Sequence, residues 1–98
     1  MTIQEGAEAY LRFYETMSPD TLGELDALVT PDVRFTDPFN DVRGPEAMRR
    51  IFLDMFKKVQ GPRFYVTYKA YNGNVLLVRW RFSGHVEAFG KDPWVVEG

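Results

Sequence analysis

VRFTDPFNDVRGPEAM, residues 33–48, is the stretch that decides how this chain is expected to fold. Residues 33–36 alternate apolar and polar side chains, which is typical of a half-buried β-strand. This strand runs into Asp37, and the Gly-Pro pair at 44–45 then opens a helix, because proline suits the first helical position. A strand that ends in a carboxylate raises the question of whether Asp37 caps a turn or serves a site.

Upstream of this stretch, the spacing of apolar residues predicts a helix over residues 3–17. A Ser-Pro-Asp sequence at 18–20 starts a second short helix, because serine caps helix N-termini and an acidic residue suits the first turn. A Thr-Pro-Asp sequence at 30–32 ends it, since the residue before a proline avoids the helical conformation. The chain is therefore expected to place two helices before the strand at 33–37.

Downstream, a wide apolar stripe predicts a third helix from Gly44 to the breaking sequence Gln60-Gly61-Pro62. Two aromatic and β-branched segments at 64–71 and 75–82 flank Asn72-Gly73-Asn74, which is a hairpin signal. A turn at 89–92 and a strand at 94–96 follow. Helices first and meandering strands afterwards indicate an α+β fold with an antiparallel sheet.

The strand at 75–82 is predicted to have two different faces, because side chains alternate along a strand. One face carries Leu76, Val78, Trp80 and Phe82, and we expect it to look inward. The other face carries Val75, Leu77, Arg79 and Arg81. The apolar members of that outer face, together with an open sheet edge, predict a homodimer.

Composition excludes several classes of function. The net charge is −2 and the pI is near 5.3, which argues against a nucleic-acid partner. Without cysteine and with His85 as the single histidine, we expect no metal site, and the absence of a glycine-rich phosphate loop predicts no cofactor. No signal peptide or membrane-spanning segment is readable, so the chain is expected to be cytoplasmic.

From its neighbours alone, Asp37 is open to three kinds of role: proton transfer, a polar contact in a pocket, or a purely structural role. Flanked by Phe35, Pro38 and Phe39, its carboxylate would be partly desolvated, and desolvation raises the pKa of an acid toward the range useful for proton transfer. The structural alternatives are a turn in which Asp37 accepts backbone amides, or a salt bridge with Arg43. Tyr14 on the first helix is either a core residue or a hydroxyl donor facing a cavity.

The motifs DVRFTDP at 32–38 and RGPEAM at 43–48, with the order of helices and strands, resemble the nuclear transport factor 2-like superfamily. This group includes SnoaL-like polyketide cyclases and ketosteroid isomerase. The resemblance implies a cone, in which a curved antiparallel sheet wraps around helices and leaves a deep pocket. It also implies a homodimer through the outer sheet face. Residues 94–98 look like a strand after which members usually continue, so a single domain over 1–98 lacking its last two strands is expected.

The same resemblance implies site residues. The general base of ketosteroid isomerase is an aspartate in a DP context, which Asp37 matches, and its oxyanion tyrosine on the first helix corresponds to Tyr14 or, one residue away, Phe13. A hydrophobic small molecule would be the partner, since 15% of the residues are aromatic and such rings line apolar cavities. The expected substrate-binding residues are Phe39, Phe52, Met55, Leu76, Val78, Trp80 and Trp94.

The sequence leaves two functions open. The first is a small-molecule-binding domain that performs acid/base chemistry of an isomerase, cyclase or hydratase type with Asp37. The second is a non-catalytic ligand-sensing or dimerisation module with the same fold. Filling of the pocket by side chains of the third helix would favour the second.

Overall fold

The N-terminal part of the chain folds into the helices that the sequence predicts. The computed structural model describes residues 2–86 and 94–98, so the turn predicted at 89–92 lies outside the described residues. Helix α1 spans Ile3–Glu15 and starts in a capping box, in which Thr2 and Glu5 each accept the other's backbone amide. A 3₁₀ helix, Pro19–Ala27, follows it.

A short hairpin comes next. Strand β1, Arg34–Thr36, pairs antiparallel with strand β2, Asp41–Arg43, and places Phe35 opposite Val42. The sequence did not predict a strand at residues 41–43. An alternation over three residues is too short to indicate a strand. The turn between the two strands contains no glycine, so the usual sequence signal of a hairpin is absent as well.

Helix α2 spans Pro45–Lys58, with Gly44 at its N-cap in the left-handed region at φ 90°. Strand β3, Gln60–Asn72, begins earlier than the predicted position 64. The Gly61-Pro62 pair does not delay the strand, because the register with its neighbour shifts between Gln60 and Arg63 and accommodates both residues in a bulge.

Strand β4, Val75–His85, and strand β5, Trp94–Glu97, complete an antiparallel sheet in the order β3-β4-β5. Phe64 lies opposite Phe82, and Gly84 lies opposite Trp94. Burial alternates along β4 as predicted, with the odd-numbered positions from 75 to 81 exposed on the outer face.

The core lies between the helices and the β1–β2 hairpin. Its buried residues are Phe13, Leu22, Leu25, Met48 and Phe52. Helix α1 lies against β3, and α2 lies against both the 3₁₀ helix and β3. Rings from each layer meet edge to face, as Tyr14 does with Phe52 at 5.7 Å and with Phe64 at 5.5 Å between centroids.

Candidate functional site

Asp37 lies in the turn between β1 and β2 and forms an Asx-type turn there. Its Oδ1 accepts the backbone amides of Phe39 at 2.8 Å and of Asn40 at 2.7 Å. The side-chain amide of Asn40 donates to both Oδ1 and Oδ2 at 3.1 Å. The turn alternative that the sequence left open is therefore the local structure, and the salt bridge with Arg43 is not among the ion pairs of the described residues.

The surroundings of Asp37 differ from the expectation. Phe39 is 93% exposed and Pro38 is exposed too, so neither ring shields the carboxylate from water. The side chain of Phe39, predicted to bind substrate, is directed into solvent at this turn, and its role stays a prediction. Only Phe35, which packs against the core, supplies an apolar neighbour from the predicted set.

Tyr14 is half-buried on the side of α1 that faces the sheet, and its hydroxyl lies 2.8 Å from the hydroxyl of Tyr10. Burial raises the pKa of both phenols, and the proximity of Tyr10 raises the pKa of Tyr14 further. Phe13 is 3% exposed and belongs to the core. Of the two candidates on α1, Tyr14 is thus the one turned toward the sheet.

A third ring lies between Tyr14 and Trp80, two residues of the predicted site. Phe64 of β3 lies 5.5 Å from Tyr14 and 6.1 Å from Trp80 between ring centroids, so it packs against both of them. Phe52 is 3% exposed within the core, and Met55 is half-buried on α2. Aromatic packing thus joins Tyr14 and Trp80 through Phe64.

The inner face of β4 near the hairpin turn is less buried than the core. Leu76, Val78 and Trp80 are half-buried, and the core cluster and its packed neighbours do not include them. The backbone amide of Trp80 donates to the carbonyl oxygen of Gly98 at 2.8 Å, and the amide of Gly98 donates to the carbonyl oxygen of Trp80 at 3.0 Å. The indole of Trp80 lies against Gly98, so a Cβ added at position 98 would be 2.3 Å from it. Trp94 is 41% exposed and contacts the ring of Phe82 at 5.9 Å.

Polar groups border this inner face on β3. In the register, Lys69 lies opposite Val78 and Tyr71 lies opposite Leu76. The Glu8 carboxylate of α1 binds the ammonium group of Lys69 and accepts the hydroxyl of Tyr71 at 3.3 Å. This pairing lowers the pKa of Glu8 and raises the pKa of Lys69. The inner face therefore combines an apolar floor with polar groups at one side.

Two further hollows lie outside the predicted site. One, of about 260 Å³, lies between α1 and β3 and is lined by charged residues that include Glu8, Arg12 and Lys69. The other, of about 550 Å³, lies on the outer face of the sheet and is lined by Thr67, Tyr68, Arg79, Arg81 and Glu97. The sequence did not predict either hollow. Both are lined in part by Thr67 and Tyr68, at the bulge in β3.

Tyr10 and Phe64 were not predicted as neighbours of Tyr14. Tyr10 lies one helical turn before Tyr14, and that i, i+4 spacing is a signal that two side chains share a helix face. The contact with Phe64 joins distant segments and carries no comparable local signal. His85 is exposed at the end of β4, opposite Gln60, and takes part in no site described above.

Two other kinds of site are absent from the part of the chain that the structure describes. Within residues 2–86 and 94–98, no group of three or more His, Asp or Glu side chains is arranged to hold a metal ion. None of the helices in these ranges has the length and apolar character needed to cross a membrane.

Residues 10–98 match the family of SnoaL-like domains. The chain belongs to this family, and its α+β fold with an antiparallel sheet around N-terminal helices is the one that the sequence resemblance implied. A search of curated protein sequences finds no match.

Three solved structures share the fold at low sequence identity. A protein from Catenulispora acidiphila with a ketosteroid isomerase-like fold, solved in complex with trimethylamine, has a TM-score of 0.77 and 17% identity over 98% of this chain and 72% of that one. An LEH-like epoxide hydrolase from M. tuberculosis has a TM-score of 0.70 and 16% identity, over 97% and 67%. TsrD from Streptomyces laurentii has a TM-score of 0.67 and 22% identity, over 97% and 72%.

Proposed function

We propose that this domain binds a hydrophobic small molecule on the inner face of β4, against Leu76, Val78 and Trp80. The observation that carries this proposal is that three apolar side chains point inward and yet stay half-buried outside the core. Apolar surface left accessible on this face favours an apolar ligand, since burying it yields about 25 cal/mol per Å². The trimethylamine bound to the C. acidiphila protein supports a small ligand for this fold.

The polar border of the same face suggests how such a ligand would be oriented. Small-molecule sites are mostly apolar and contain a few polar groups that fix the orientation of the ligand. Lys69 and Tyr71 lie opposite Val78 and Leu76, and both contact Glu8. We expect a ligand with an apolar body and one polar end, placed beside this group.

Binding of the uncharged fluorophore N-phenyl-1-naphthylamine tests the proposal. Leu76→Ala removes three carbons that the ligand would cover, and at about 0.8 kcal/mol per carbon the affinity should fall by tenfold or more. Leu77→Ala, on the opposite face of the same strand, is the matched control and should leave the affinity unchanged. Equal effects of the two variants would contradict the proposal.

A second candidate function is acid/base catalysis by Asp37, of an isomerase, cyclase or hydratase type. It is favoured by the unequal number of hydrogen bonds that the two carboxylate oxygens of Asp37 accept. Oδ1 accepts three of the hydrogen bonds described above, whereas Oδ2 accepts only the side-chain amide of Asn40. A carboxylate oxygen has room for a further acceptor bond, so Oδ2 has the capacity to take a proton from a carbon next to a carbonyl group. Tyr14 would hold the oxygen of the resulting enolate.

The test of catalysis is Asp37→Asn, because asparagine keeps an oxygen for the turn but is no base. The probe is 2-tetralone, an apolar bicyclic ketone, and NMR in D₂O follows exchange of the protons next to its carbonyl group. If Asp37 acts as the base, the exchange rate falls toward the buffer rate while the melting temperature changes little. A wild-type protein that does not exceed the buffer rate argues against this candidate for such ketones and favours the non-catalytic alternative.

We also propose that the domain forms a homodimer through the outer face of the sheet. Large side chains on this face are exposed: Tyr68 by 65%, Leu77 by 62% and Val75 by 52%. Val95 of β5 is 51% exposed on the same face, opposite Ser83 toward the other end of β4. Exposed apolar side chains grouped on one sheet face, such as Tyr68, Val75 and Leu77, mark an interaction surface.

Sedimentation equilibrium at micromolar concentration tests the dimer. Leu77→Asp places a charge in the proposed interface and should convert the protein to a monomer. Leu53→Asp is the matched control, since Leu53 is a 41% exposed leucine on α2, away from this face. A monomeric mass for the wild-type protein would exclude the dimer.

A further inference from the structure

The hollow of about 550 Å³ on the outer face of the sheet has a positively charged lining. Its charged lining residues are Arg79, Arg81 and Glu97, so two guanidinium groups face one carboxylate. The carboxylate of Glu97 is already paired, because its Oε1 accepts from Nε of Arg81 at 3.2 Å and from Nη2 at 2.9 Å. The charge that this pair leaves uncompensated is the one cation of Arg79.

Arg79 makes no side-chain hydrogen bond or ion pair within residues 2–86 and 94–98, and it is exposed. A guanidinium group presents five N–H donors in a planar fork, which matches the two oxygens of a carboxylate. The backbone at this position is held in place, since the hydroxyl of Thr67 donates to the carbonyl oxygen of Arg79 at 3.1 Å. Arg79 is therefore a fixed cation with free donors.

An exposed aromatic ring lies next to this cation. The register shift in β3 between Val66 and Tyr68 places Tyr68 opposite Arg79. Side chains that lie opposite each other on antiparallel strands are close enough to contact one ligand. The ring of Tyr68 is 65% exposed, and no other ring packs against it among the described residues. A flat ring can therefore stack on Tyr68 while an attached acidic group reaches Arg79.

We propose that this hollow binds a small aromatic carboxylate, with its carboxylate on Arg79 and its ring on Tyr68. The volume lies within the range of about 300–1,000 Å³ that small-molecule sites occupy. One carboxylate balances the one uncompensated cation, whereas a phosphate monoester carries a charge of about −1.5 to −2 and would meet Glu97 in the same hollow. The inference goes beyond the ligand site proposed on the inner face and rests neither on that site nor on the dimer.

Titration with 2-naphthoate, followed by NMR of the arginine Nε–H groups, tests the inference. The resonance of Arg79, assigned by its loss in Arg79→Gln, should shift. The resonance of Arg50, which pairs with Glu46 on α2, should not shift and serves as the control for non-specific binding. The uncharged 2-naphthamide has nearly the same shape and should bind about tenfold more weakly. Naphthyl phosphate should bind no more tightly than 2-naphthoate.

Variants compared by isothermal titration calorimetry separate direct contact from the general charge of the face. Arg79→Gln should weaken 2-naphthoate binding about tenfold, and Tyr68→Ala should weaken it several fold. Arg63→Gln is the matched control, because Arg63 lies on the same face but over the ring of Tyr65, outside the hollow, and its loss should leave the affinity unchanged. Glu97→Gln makes the lining more positive and should strengthen binding by a few fold.

The outcomes distinguish this hollow from the inner face. A shift at Arg79, with affinity lost in Arg79→Gln and kept in Arg63→Gln, supports the inference. Equal losses in the two arginine variants, or equal affinity for 2-naphthoate and 2-naphthamide, overturn it. Affinity lost in Leu76→Ala but kept in Arg79→Gln places the probe on the inner face, which overturns this site and leaves the proposed function intact.

Two further outcomes bear on the ligand class and on access to the hollow. Tighter binding of naphthyl phosphate than of 2-naphthoate would overturn the choice of a carboxylate. Tyr68 also belongs to the face on which we propose a dimer, so the titration is run at a low and at a high protein concentration. The absence of a shift at both concentrations overturns the inference.

Discussion

The two ends of β4 carry the same alternating pattern but have different surroundings. At the end near His85, Phe82 is 7% exposed and lies 4.9 Å from the ring of Phe64 and 5.9 Å from that of Trp94. At the end near the hairpin turn, Leu76 and Val78 are half-buried. Alternation decides which face a side chain takes, whereas the elements packed against that face decide how deeply it is buried.

Helix α1 explains the difference. Its last turns place Phe13 and Tyr14 against other rings, and Phe13 is buried in the core. Its first half meets β3 instead through Glu8, which binds Lys69 and Tyr71. This exposed ion pair links α1 to β3 but does not exclude water. The apolar residues of β4 near the hairpin turn therefore keep accessible surface. One end of the sheet is thus packed against other rings, whereas the other end keeps the accessible apolar surface on which we propose that a ligand binds.

The largest expected effect compares alanine substitutions at the two ends. Phe82→Ala should lower the free energy of unfolding by about 3–5 kcal/mol, because it removes a buried ring and leaves a cavity. Leu76→Ala, on the same face of the same strand, should cost about 1 kcal/mol or less, since Leu76 is only half-buried. Urea denaturation measures both, and equal losses would show that the two ends are packed alike.

A smaller effect is expected from adding one methyl group at the packed end. Gly84→Ala would bring its Cβ within 2.3 Å of Cγ1 of Val59, and a β-branched side chain has little freedom to move away. We expect a loss of about 1–3 kcal/mol by urea denaturation. Gly23→Ala is the control, because nothing lies within 4 Å of the added atom and its stability should not fall. Tolerance of alanine at both positions would argue against tight packing at Gly84.

The pH dependence of stability tests the burial of Tyr14. Its pKa is raised above the ordinary value of 10.0, so its contribution to stability is fully present below pH 10 and is lost as the pH rises toward the folded-state pKa. By pH 11 the loss is about 1.4 kcal/mol for one such phenol. Tyr14→Phe should reduce this decline between pH 9 and 11. Tyr68→Phe, at a 65% exposed ring, should keep the wild-type slope.

Most of the fold was predictable from local signals. The capping residues, the Gly-Pro start of α2 and the alternation in β4 each act over a few residues, and each correctly indicated an element. The short strand β2 and the early start of β3 were not predicted. Strand β2 forms by pairing with β1, and the early start of β3 depends on a bulge in its pairing with β4. The periodicity of a sequence shows neither feature.

The candidate site was less predictable for the same reason. The side chain of Asp37 was expected either at a pocket or in a turn, and its hydrogen bonds with Phe39 and Asn40 place it in the turn. The packing of Phe64 between Tyr14 and Trp80 joins three segments that are distant in sequence. A resemblance at the level of motifs placed these residues near each other but did not determine which ring occupies the space.

The most direct test of ligand binding at the open end of β4 is a methyl NMR titration with N-phenyl-1-naphthylamine. Leu76 and Val78 carry methyl groups on the inner face, and Val75 and Leu77 carry them on the outer face of the same strand. We predict shifts for the methyl groups of Leu76 and Val78 and none for those of Val75 and Leu77. Shifts confined to Val75 and Leu77 would contradict a ligand site on the inner face.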